Sequence, residues 1–250
     1  MERWQNKVAV ITGASSGIGA AIAKEFVMAG LKVVGLARRT QLMEKHKMDL
    51  PSEKRSQFIA MYCDVSNPKS INDAFDLIIA QFGGVDVLVN NAGCGQADQL
   101  STMNLDDAQK IVNTNIMGVV YCTQRAFKSM KDRHFDGHVI LINSIAGHQF
   151  FPGVPLKLPA ANIYSPTKFA ITALTELYRQ EFSGLGTKIK ISSISPGVVD
   201  TDILLKDLRE AAGDCMLQPE DVSKAVLFML ATPPHVQIHD MIIKPMGEVV

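Results

Sequence analysis

A tyrosine and a lysine lie four positions apart in the stretch NIYSPTKFAITAL, which has the pattern of the start of a helix. Residues at i and i+4 share a helix face, so Tyr164 and Lys168 should have Cβ atoms about 5–6 Å apart. A free phenol has a pKa of about 10, and a nearby ammonium group lowers it by stabilising the phenolate. The pair is therefore a candidate acid–base group for an alcohol or a carbonyl. A solvent-exposed pair without function is the alternative.

Other polar residues follow buried strands at places where a ligand would meet this pair. Ser144 follows the apolar run HVILIN, and NNAG at 90–93 follows VDVLVN. The carboxyl ends of parallel strands form the edge at which open α/β sheets bind ligands. Asn115 lies within a helical pattern at 104–131, which is unfavourable for asparagine unless the residue faces solvent or the helix bends. Together with the other residues, it favours a functional role.

A glycine-rich turn, TGASSGIG at 12–19, follows the first predicted strand. Its glycines have the spacing G-x-x-x-G-x-G, which permits a tight turn and a close approach of the backbone to a pyrophosphate. The following helix directs its N-terminus at negative charge. An ordinary βα turn is the alternative to the dinucleotide site that we predict. The predicted coenzyme-binding residues of this turn are Gly13, Ser15, Ser16, Gly17, Ile18 and Gly19.

The end of the second predicted strand indicates which coenzyme is bound. An acidic residue about 20 positions after the glycines would bind the ribose 2′-hydroxyl of NAD. Ala37 occupies this position, and Arg38 and Arg39 follow it. Two cations without an acid favour a 2′-phosphate and thus NADP(H), with a solvated arginine pair as the alternative. Asp64 and Val65 follow the third strand, where Asp64 would bind the adenine amine or cap a turn.

Short apolar runs alternate with helical patterns along the chain. The predicted strands are 8–12, 32–36, 57–62, 85–90, 138–143, 190–195 and 241–244. The predicted helices are 17–29, 40–48, 68–82, 104–131, 164–184 and 219–231. Consecutive apolar positions are typical of parallel strands buried on both faces. The pattern predicts an α/β protein with a single-domain, doubly wound Rossmann fold over 1–250, built on a seven-stranded parallel sheet flanked by helices.

The composition excludes several classes of partner. The chain has 25 basic and 25 acidic residues, so its net charge of 0 gives no general attraction to nucleic acid or anionic membrane. The four cysteines lack a CxxC spacing and the six histidines lack a metal-ligand spacing. No apolar run reaches the roughly 18 residues of a membrane span. A strand pattern begins within the first residues of the sequence, which leaves no room for a secretory signal. We expect a cytoplasmic protein without metal, nucleic-acid partner or transmembrane segment.

Taken together, these motifs resemble the short-chain dehydrogenase/reductase family over nearly the whole chain. The resemblance rests on TGASSGIG, NNAG, NTNIMG around Asn115, NSIAG around Ser144, YSPTK at 164–168 and SPGVVDT at 195–201. It implies that Tyr164 is the general acid/base and that Ser144 binds and orients the substrate oxygen. Lys168 would hold the nicotinamide ribose and lower the pKa of Tyr164, and Asn115 would position a water in a proton relay.

The resemblance also implies further coenzyme contacts and a substrate class. Asn91, Ala92 and Gly93 would line the adenosine-ribose side, and Pro196, Gly197, Val199 and Thr201 would flank the nicotinamide carboxamide. The segments NSIAGH, ITALTELYRQE and HVQIHDMIIKP resemble the insect farnesol dehydrogenase-like branch, near the animal dehydrogenase/reductase member 11 group. That branch implies NADP(H) and a lipophilic alcohol or carbonyl, with a farnesol-type isoprenoid favoured. The alternatives are a steroid or general carbonyl reductase and a non-catalytic NADP(H)-sensing protein.

Ser144 and Tyr164 are 20 positions apart, a wider gap than most of the family shows. The intervening segment 148–162 is rich in Phe, Pro and Leu, and we predict that it forms part of the substrate pocket wall. The segment 201–216 would be a mobile lid, and a packed surface loop is the alternative for 148–162. Helices 104–131 and 164–184 have apolar faces beyond what the sheet needs, and the resemblance implies that they form a homodimer interface, with a tetramer possible.

Overall fold

The computed structural model describes residues 1–96, 98–150, 162–204 and 206–248. Seven strands form one parallel sheet in the order β3-β2-β1-β4-β5-β6-β7. The strands are β1 Val8–Thr12, β2 Lys32–Ala37, β3 Phe58–Tyr62, β4 Val87–Asn90, β5 His138–Ile142, β6 Lys190–Pro196 and β7 Asp240–Ile243. The predicted α/β class and seven-stranded parallel sheet are confirmed.

The helices lie between the strands and cover the sheet. They are α1 Gly17–Met28, α2 Thr40–Met48, α3 Pro68–Phe82, α4 Leu105–Val112, α5 Gly118–Asp132, α6 Tyr164–Gly184, α7 Lys206–Ala212 and α8 Pro219–Ala231. The predicted single helix 104–131 is wrong in one respect, because a π turn, Asn113–Met117, separates α4 from α5. Helix α7 was not predicted and lies within the predicted lid segment.

Two asparagines determine where helices begin. The Asn67 side chain accepts hydrogen bonds from the backbone N–H groups of Lys69 and Ser70, ahead of a proline in the first turn. The Asn104 side chain accepts in the same way from the N–H groups of Asp106 and Asp107 at the start of α4. These bonds satisfy N–H groups that have no partner within the helix, so both predicted helix starts are confirmed.

The sheet separates two apolar layers, which explains why its strands are apolar at consecutive positions. In β1, Ala9 and Ile11 face a layer that includes Phe26 of α1 and Val226 of α8. Val8 and Val10 face the opposite layer, built by residues of α3, α5 and α6. Successive side chains of a strand point to opposite faces, so a central strand of this sheet needs apolar residues throughout.

The strand order places the ligand-binding edge. The chain builds β1, β2 and β3 toward one side and then returns to place β4 on the other side of β1. At such a switch point the connections leave in opposite directions and open a crevice above the carboxyl ends of β1 and β4. No helix of the described residues is long and apolar enough to cross a membrane. The same residues contain no group of three or more side chains that could hold a metal ion.

Candidate active site

The crevice begins at the glycine-rich turn between β1 and α1. The Thr12 hydroxyl accepts hydrogen bonds from the backbone N–H groups of Asn91 and Ala92, each at 3.0 Å. The Asn91 side-chain amide donates to the Thr12 carbonyl oxygen at 2.9 Å. Thr12 is 2% exposed, so its hydroxyl group links the end of β1 to the residues after β4 and does not face a ligand.

Two of the glycines are required because neighbouring atoms leave no space for a Cβ atom at these positions. Gly13 has a φ of +69°, and a Cβ atom there would lie 2.9 Å from the Ala92 Cα. A Cβ atom at Gly19 would lie 2.4 Å from both the Gly13 carbonyl oxygen and the Asn91 side-chain nitrogen. The N-cap residue of α1, Ser16, makes no side-chain cap bond. The first N–H groups of α1 are therefore suited to an anionic group such as a pyrophosphate.

A cleft of about 260 Å³ extends from this turn to Tyr164. The predicted coenzyme residues that line it are Gly13, Ser15, Ser16, Gly17, Ile18, Arg38, Arg39, Asp64, Val65, Asn91, Ala92, Gly93, Tyr164, Lys168 and Thr201. They come from the ends of several strands and from α6, so the tertiary fold brings most of the predicted set together. The cleft has the residues needed to hold a dinucleotide: a glycine turn, a helix N-terminus and two cations at one end.

The two arginines lie at the end of the cleft beside the glycine turn. The Arg39 guanidinium donates to the hydroxyl oxygens of Ser15 at 3.2 Å and Ser16 at 3.0 Å. Asp64 accepts from the backbone N–H of Ser66 at 3.0 Å and from its hydroxyl at 2.7 Å, so it caps a turn, one of its two predicted roles. Burial acts to raise the pKa of Asp64, but the Ser66 bonds and the charge of Arg38 outweigh it and lower the pKa.

A second cavity of about 170 Å³ lies on the other side of Tyr164. It is lined mainly by apolar side chains and backbone, and Ser144, Tyr164 and Thr201 contribute hydroxyl groups to it. Its lining residues include Ile18, Ile145, Ala146, Pro196, Gly197, Val198, Val199, Ile203, Leu204 and Leu208. An apolar cavity with a few convergent polar groups is typical of a site for a lipophilic small molecule.

Tyr164 and Lys168 lie in the first turns of α6, where Tyr164 lines both cavities and Lys168 lines the first. The Lys168 ammonium nitrogen lies 5.5 Å from the centre of the Tyr164 ring and donates to the Ile142 carbonyl oxygen at 2.9 Å. Lys168 is 7% exposed, and this burial lowers its pKa to about 8. The Ser144 oxygen accepts from the Ala146 N–H at 3.1 Å, which holds Ser144 at the end of β5.

The pKa of Tyr164 differs from the prediction. Burial raises it to about 12, a hydrogen bond from Ser144 opposes this, and the nearby Cys94 thiol raises it further. The predicted lowering of this pKa is therefore wrong for the protein's own groups, because desolvation of the phenolate is the largest effect. Tyr164 carries its proton at neutral pH and is an acid in this arrangement.

Asn115 lies behind the wall of the cleft, in the π turn between α4 and α5. Its side-chain oxygen accepts from the Cys94 N–H at 2.9 Å, and its nitrogen donates to the Cys94 carbonyl at 2.9 Å and the Thr167 hydroxyl at 3.1 Å. Single π turns within helices occur frequently at functional sites. Asn115 is 2% exposed, so a solvent-facing side chain does not explain its position. Its role in a proton relay stays a prediction.

Some predicted residues do not line the cleft, and some lining residues were not predicted. Gly19 and Asn115 act from behind the wall, and Pro196, Gly197 and Val199 line the second cavity. Cys94, Lys110, Thr114 and Asn143 line the cleft without having been predicted. Cys94 follows NNAG and Asn143 precedes Ser144, so proximity to a motif was a usable signal for both. Thr114 adjoins Asn115 within NTNIMG, so the same signal applied to it. Lys110 carried no such signal, because which side of α4 faces the cleft depends on how the helix packs.

The predicted substrate loop 148–162 is described only at its two ends, and 151–161 lie outside the described residues. At its start, a His148 ring nitrogen lies 2.8 Å from the Ser195 hydroxyl and 3.3 Å from an Asp240 carboxylate oxygen. Phe150 stacks on Phe169 of α6 with ring centres 4.7 Å apart. These contacts fix the beginning of the loop to β6, β7 and α6, and its role as a pocket wall stays a prediction.

The predicted lid 201–216 contains α7 and is described apart from residue 205. The Arg209 guanidinium pairs with the Asp200 carboxylate and donates to the Thr201 carbonyl oxygen at 2.9 Å. Leu208 of the same helix lines the second cavity. The segment thus contributes to the lining of the second cavity, and its role as a mobile lid stays a prediction.

A Rossmann sheet with a glycine turn at its switch point and a buried tyrosine–lysine pair beside it is typical of nicotinamide-dependent oxidoreductases. The family model for short chain dehydrogenase matches residues 7–212. The chain belongs to the short-chain dehydrogenase/reductase family, which confirms the predicted resemblance.

Relatives and solved structures agree with this assignment. The chain is 49% identical to farnesol dehydrogenase of Aedes aegypti, over 99% of both chains. It is 41% identical to dehydrogenase/reductase SDR family member 11 of Homo sapiens, over 100% of this chain and 98% of the other. An alcohol dehydrogenase from Thermococcus sibiricus, solved with 5-hydroxy-NADP, superposes with a TM-score of 0.83 at 26% identity, over 97% of both chains. The resemblance to the farnesol dehydrogenase-like branch is thereby confirmed.

Proposed function

We propose that this oxidoreductase transfers a hydride between NADP(H) and a lipophilic alcohol or carbonyl, with a farnesol-type isoprenoid favoured. The observation that carries the proposal is the position of Tyr164. Its phenol lies where the cleft suited to a dinucleotide meets the apolar cavity, and it lines both. A group at this junction touches the reacting ends of coenzyme and substrate together, which proton transfer coupled to hydride transfer requires.

The bound coenzyme supplies or accepts the hydride at its nicotinamide ring. In the reduction direction, Tyr164 gives its proton to the carbonyl oxygen as the hydride reaches the carbonyl carbon, and an alcohol results. The Ser144 hydroxyl group donates a hydrogen bond to the same oxygen and orients it. Lys168 then stabilises the negative charge left on the phenolate, and Asn115 belongs to the route that returns a proton. In the oxidation direction each step runs in reverse.

The apolar cavity supports a lipophilic substrate. Leu204 and Leu208 from the segment after β6 and Ile145 after β5 line the same cavity as Ser144 and Tyr164. Burial of an isoprenoid chain against such side chains contributes about 25 cal/mol per Å² of apolar surface. The similarity to an insect farnesol dehydrogenase supports the same substrate class.

The two arginines support NADP(H) over NAD(H). Arg38 and Arg39 line the end of the cleft, and Ala37 stands where an acid would bind a ribose 2′-hydroxyl. Arg39 already donates to Ser15 and Ser16, so its guanidinium is held close to the glycine turn. A 2′-phosphate there would gain charge-assisted hydrogen bonds, which the 2′-hydroxyl of NAD would not.

The coenzyme preference is tested by replacing both arginines. The Arg38→Ala/Arg39→Ala variant should lose about 10- to 100-fold in kcat/KM with NADP and change little with NAD, since charged hydrogen bonds contribute about 1.5–3 kcal/mol. Lys47→Ala, on α2 away from the described lining of the cleft, is the control. A wild type that prefers NAD, or equal losses with both coenzymes, would contradict the proposal.

The reaction itself is tested by following absorbance at 340 nm with farnesol and NADP, for the wild type and Tyr164→Phe. Turnover that is lost in the variant, with coenzyme binding retained, is the expected result. Turnover that survives in Tyr164→Phe would refute the acid–base role. Coenzyme binding without turnover over a panel of isoprenoid, steroid and short-chain alcohols and carbonyls would instead indicate the non-catalytic sensing protein.

We further propose that the protein is a cytoplasmic homodimer. The family resemblance is the basis for the dimer, and Leu177, which is 61% exposed on α6, would be covered by such an interface. A molar mass of about twice 27.3 kDa by light scattering is expected at micromolar concentration. The monomer mass would contradict the dimer. A fluorescent fusion that accumulates in a membrane-bound compartment would contradict the location.

A further inference from the structure

The last described residues of the chain return to the sheet edge that carries the site. After β7 the chain turns at Pro245, whose carbonyl oxygen accepts from the Glu248 N–H at 3.3 Å. The Glu248 side chain is 2% exposed. The burial of a carboxylate costs free energy unless compensating partners are present.

Those partners belong to the segment that follows β6. One Glu248 carboxylate oxygen accepts from the Val198 N–H at 2.9 Å. The other lies 3.0 Å from the Lys244 ammonium nitrogen. A Cβ atom at Gly197 would lie 2.0 Å from the carboxylate, so this glycine is what admits the carboxylate to the Val198 N–H. The Gly197 N–H in turn donates to the Ile243 carbonyl oxygen at 2.8 Å. Strand β7 and the tail thus hold two successive backbone N–H groups.

The opposite side of this backbone faces the second cavity. Gly197, Val198 and Val199 line that cavity together with Ser144 and Tyr164. The Val198 carbonyl oxygen accepts from the Leu217 N–H at 2.8 Å, and the Asp200 N–H donates to the Leu217 carbonyl at 2.9 Å. The wall of the cavity is therefore a single layer of backbone. The Glu248 carboxylate and the backbone of Leu217, which follows α7, hold it from outside.

We propose that Glu248 is a positioning residue, which sets the place of the Gly197–Val198 backbone and thereby the space available to the nicotinamide end of the coenzyme and to the reacting carbon. The inference rests on the proposed function for the identity of these ligands. Without the carboxylate, the partly buried Val198 N–H loses its acceptor and the wall is free to shift. Misplacement of reacting groups by about 1 Å can cost about 100-fold in rate.

The test separates the two ends of the coenzyme. NADPH and 2′,5′-ADP are titrated into the wild type, Glu248→Gln and Glu248→Ala by calorimetry, since 2′,5′-ADP contains the adenosine end alone. Glu248→Ala should bind NADPH about tenfold more weakly and 2′,5′-ADP unchanged, because the glycine turn lies away from the tail. Glu248→Gln retains an oxygen that can accept from Val198 and should restore most of the binding. Glu53→Ala, at an exposed acid far along the chain, is the control.

Kinetics provide the second reading. Glu248→Ala should lower kcat with farnesol by about 10- to 100-fold beyond its effect on the coenzyme affinity, and Glu248→Gln by much less. If Glu248→Ala weakened the binding of NADPH and of 2′,5′-ADP equally, the inference would be overturned. Unchanged binding of both ligands together with an unchanged kcat would also overturn it. If Glu248→Ala does not fold, Glu248→Asp, which withdraws the carboxylate by one methylene, is measured with the same expectation. Absence of farnesol turnover in the wild type would refute the proposed substrate, while the binding comparison would still decide the role of Glu248.

Discussion

Replacing Lys168 by methionine should abolish turnover without lowering stability at neutral pH. Lys168 is 7% exposed, and its pKa falls from 10.5 to about 8 on folding because burial disfavours the ammonium. The difference of about 2.5 between these pKa values corresponds to about 3 kcal/mol that the charged side chain costs the folded state at pH 7. The lost hydrogen bond to the Ile142 carbonyl oxygen offsets about 1–3 kcal/mol of this. Lys168→Met should therefore be as stable as the wild type or up to about 2 kcal/mol more stable.

The pH dependence gives a sharper expectation. The folded-state pKa lies below that of the unfolded chain, so between about pH 8 and 10.5 the unfolded chain binds more protons and the contribution of Lys168 to stability rises with pH. At pH 9.5 the free-energy cost of burying Lys168 in the wild type is about 2 kcal/mol smaller than at pH 7. The stability advantage of Lys168→Met should thus shrink by about 2 kcal/mol between pH 7 and 9.5, whereas other titrating groups contribute equally to both proteins.

The measurement is urea unfolding without coenzyme at both pH values, followed by tryptophan fluorescence. Trp4 is the single tryptophan and lies in the core, so its emission reports global unfolding. Lys206→Met, at a side chain that is 85% exposed, is the matched control and should show no pH-dependent difference. A variant less stable by more than about 2 kcal/mol at pH 7, or a difference that does not change with pH, would refute the reasoning.

Three further outcomes are expected. The kcat/KM of carbonyl reduction, measured in a mixed buffer, should be constant below about pH 8 and fall above it. The reason is that Lys168 loses its charge there, while Tyr164, with a pKa of about 12, keeps its proton. A fall that begins below pH 7 would contradict this expectation. Gly19→Ala should weaken coenzyme binding at least tenfold, since the new Cβ atom would lie 2.4 Å from the Gly13 carbonyl oxygen. Unchanged binding by calorimetry would show that the backbone of the turn can move to accommodate the Cβ atom. Asn67→Ala should cost about 0.5–2 kcal/mol in urea unfolding, with Asn67→Asp near the wild type, because the side chain caps α3; a loss below about 0.3 kcal/mol would mean that water replaces the cap.

The parts of the fold that local sequence determines were predicted well. Strands such as β1 and β5 were predicted from consecutive apolar residues, because a parallel sheet covered on both faces admits little else. The start of α3 was predicted from Asn67 followed by proline, because capping depends on residues within one turn. The single helix at 104–131 was wrong, because a π turn at Asn113–Met117 interrupts it and places Asn115 against the backbone of Cys94, a contact that helix periodicity does not indicate.

The candidate site divides in the same way. Motif positions after successive apolar runs were enough to predict that TGASSGIG, NNAG and the tyrosine–lysine pair meet at one edge of the sheet, and the strand order makes this edge the switch point. The sign of the Tyr164 pKa shift, the approach of Arg39 to the serine hydroxyls and the return of Glu248 to the Gly197–Val198 backbone were decided only by the tertiary structure. Desolvation and long-range hydrogen bonds depend on which groups fold against one another, and residues 50 positions apart in the sequence, such as Val198 and Glu248, carry no local sign that they will meet.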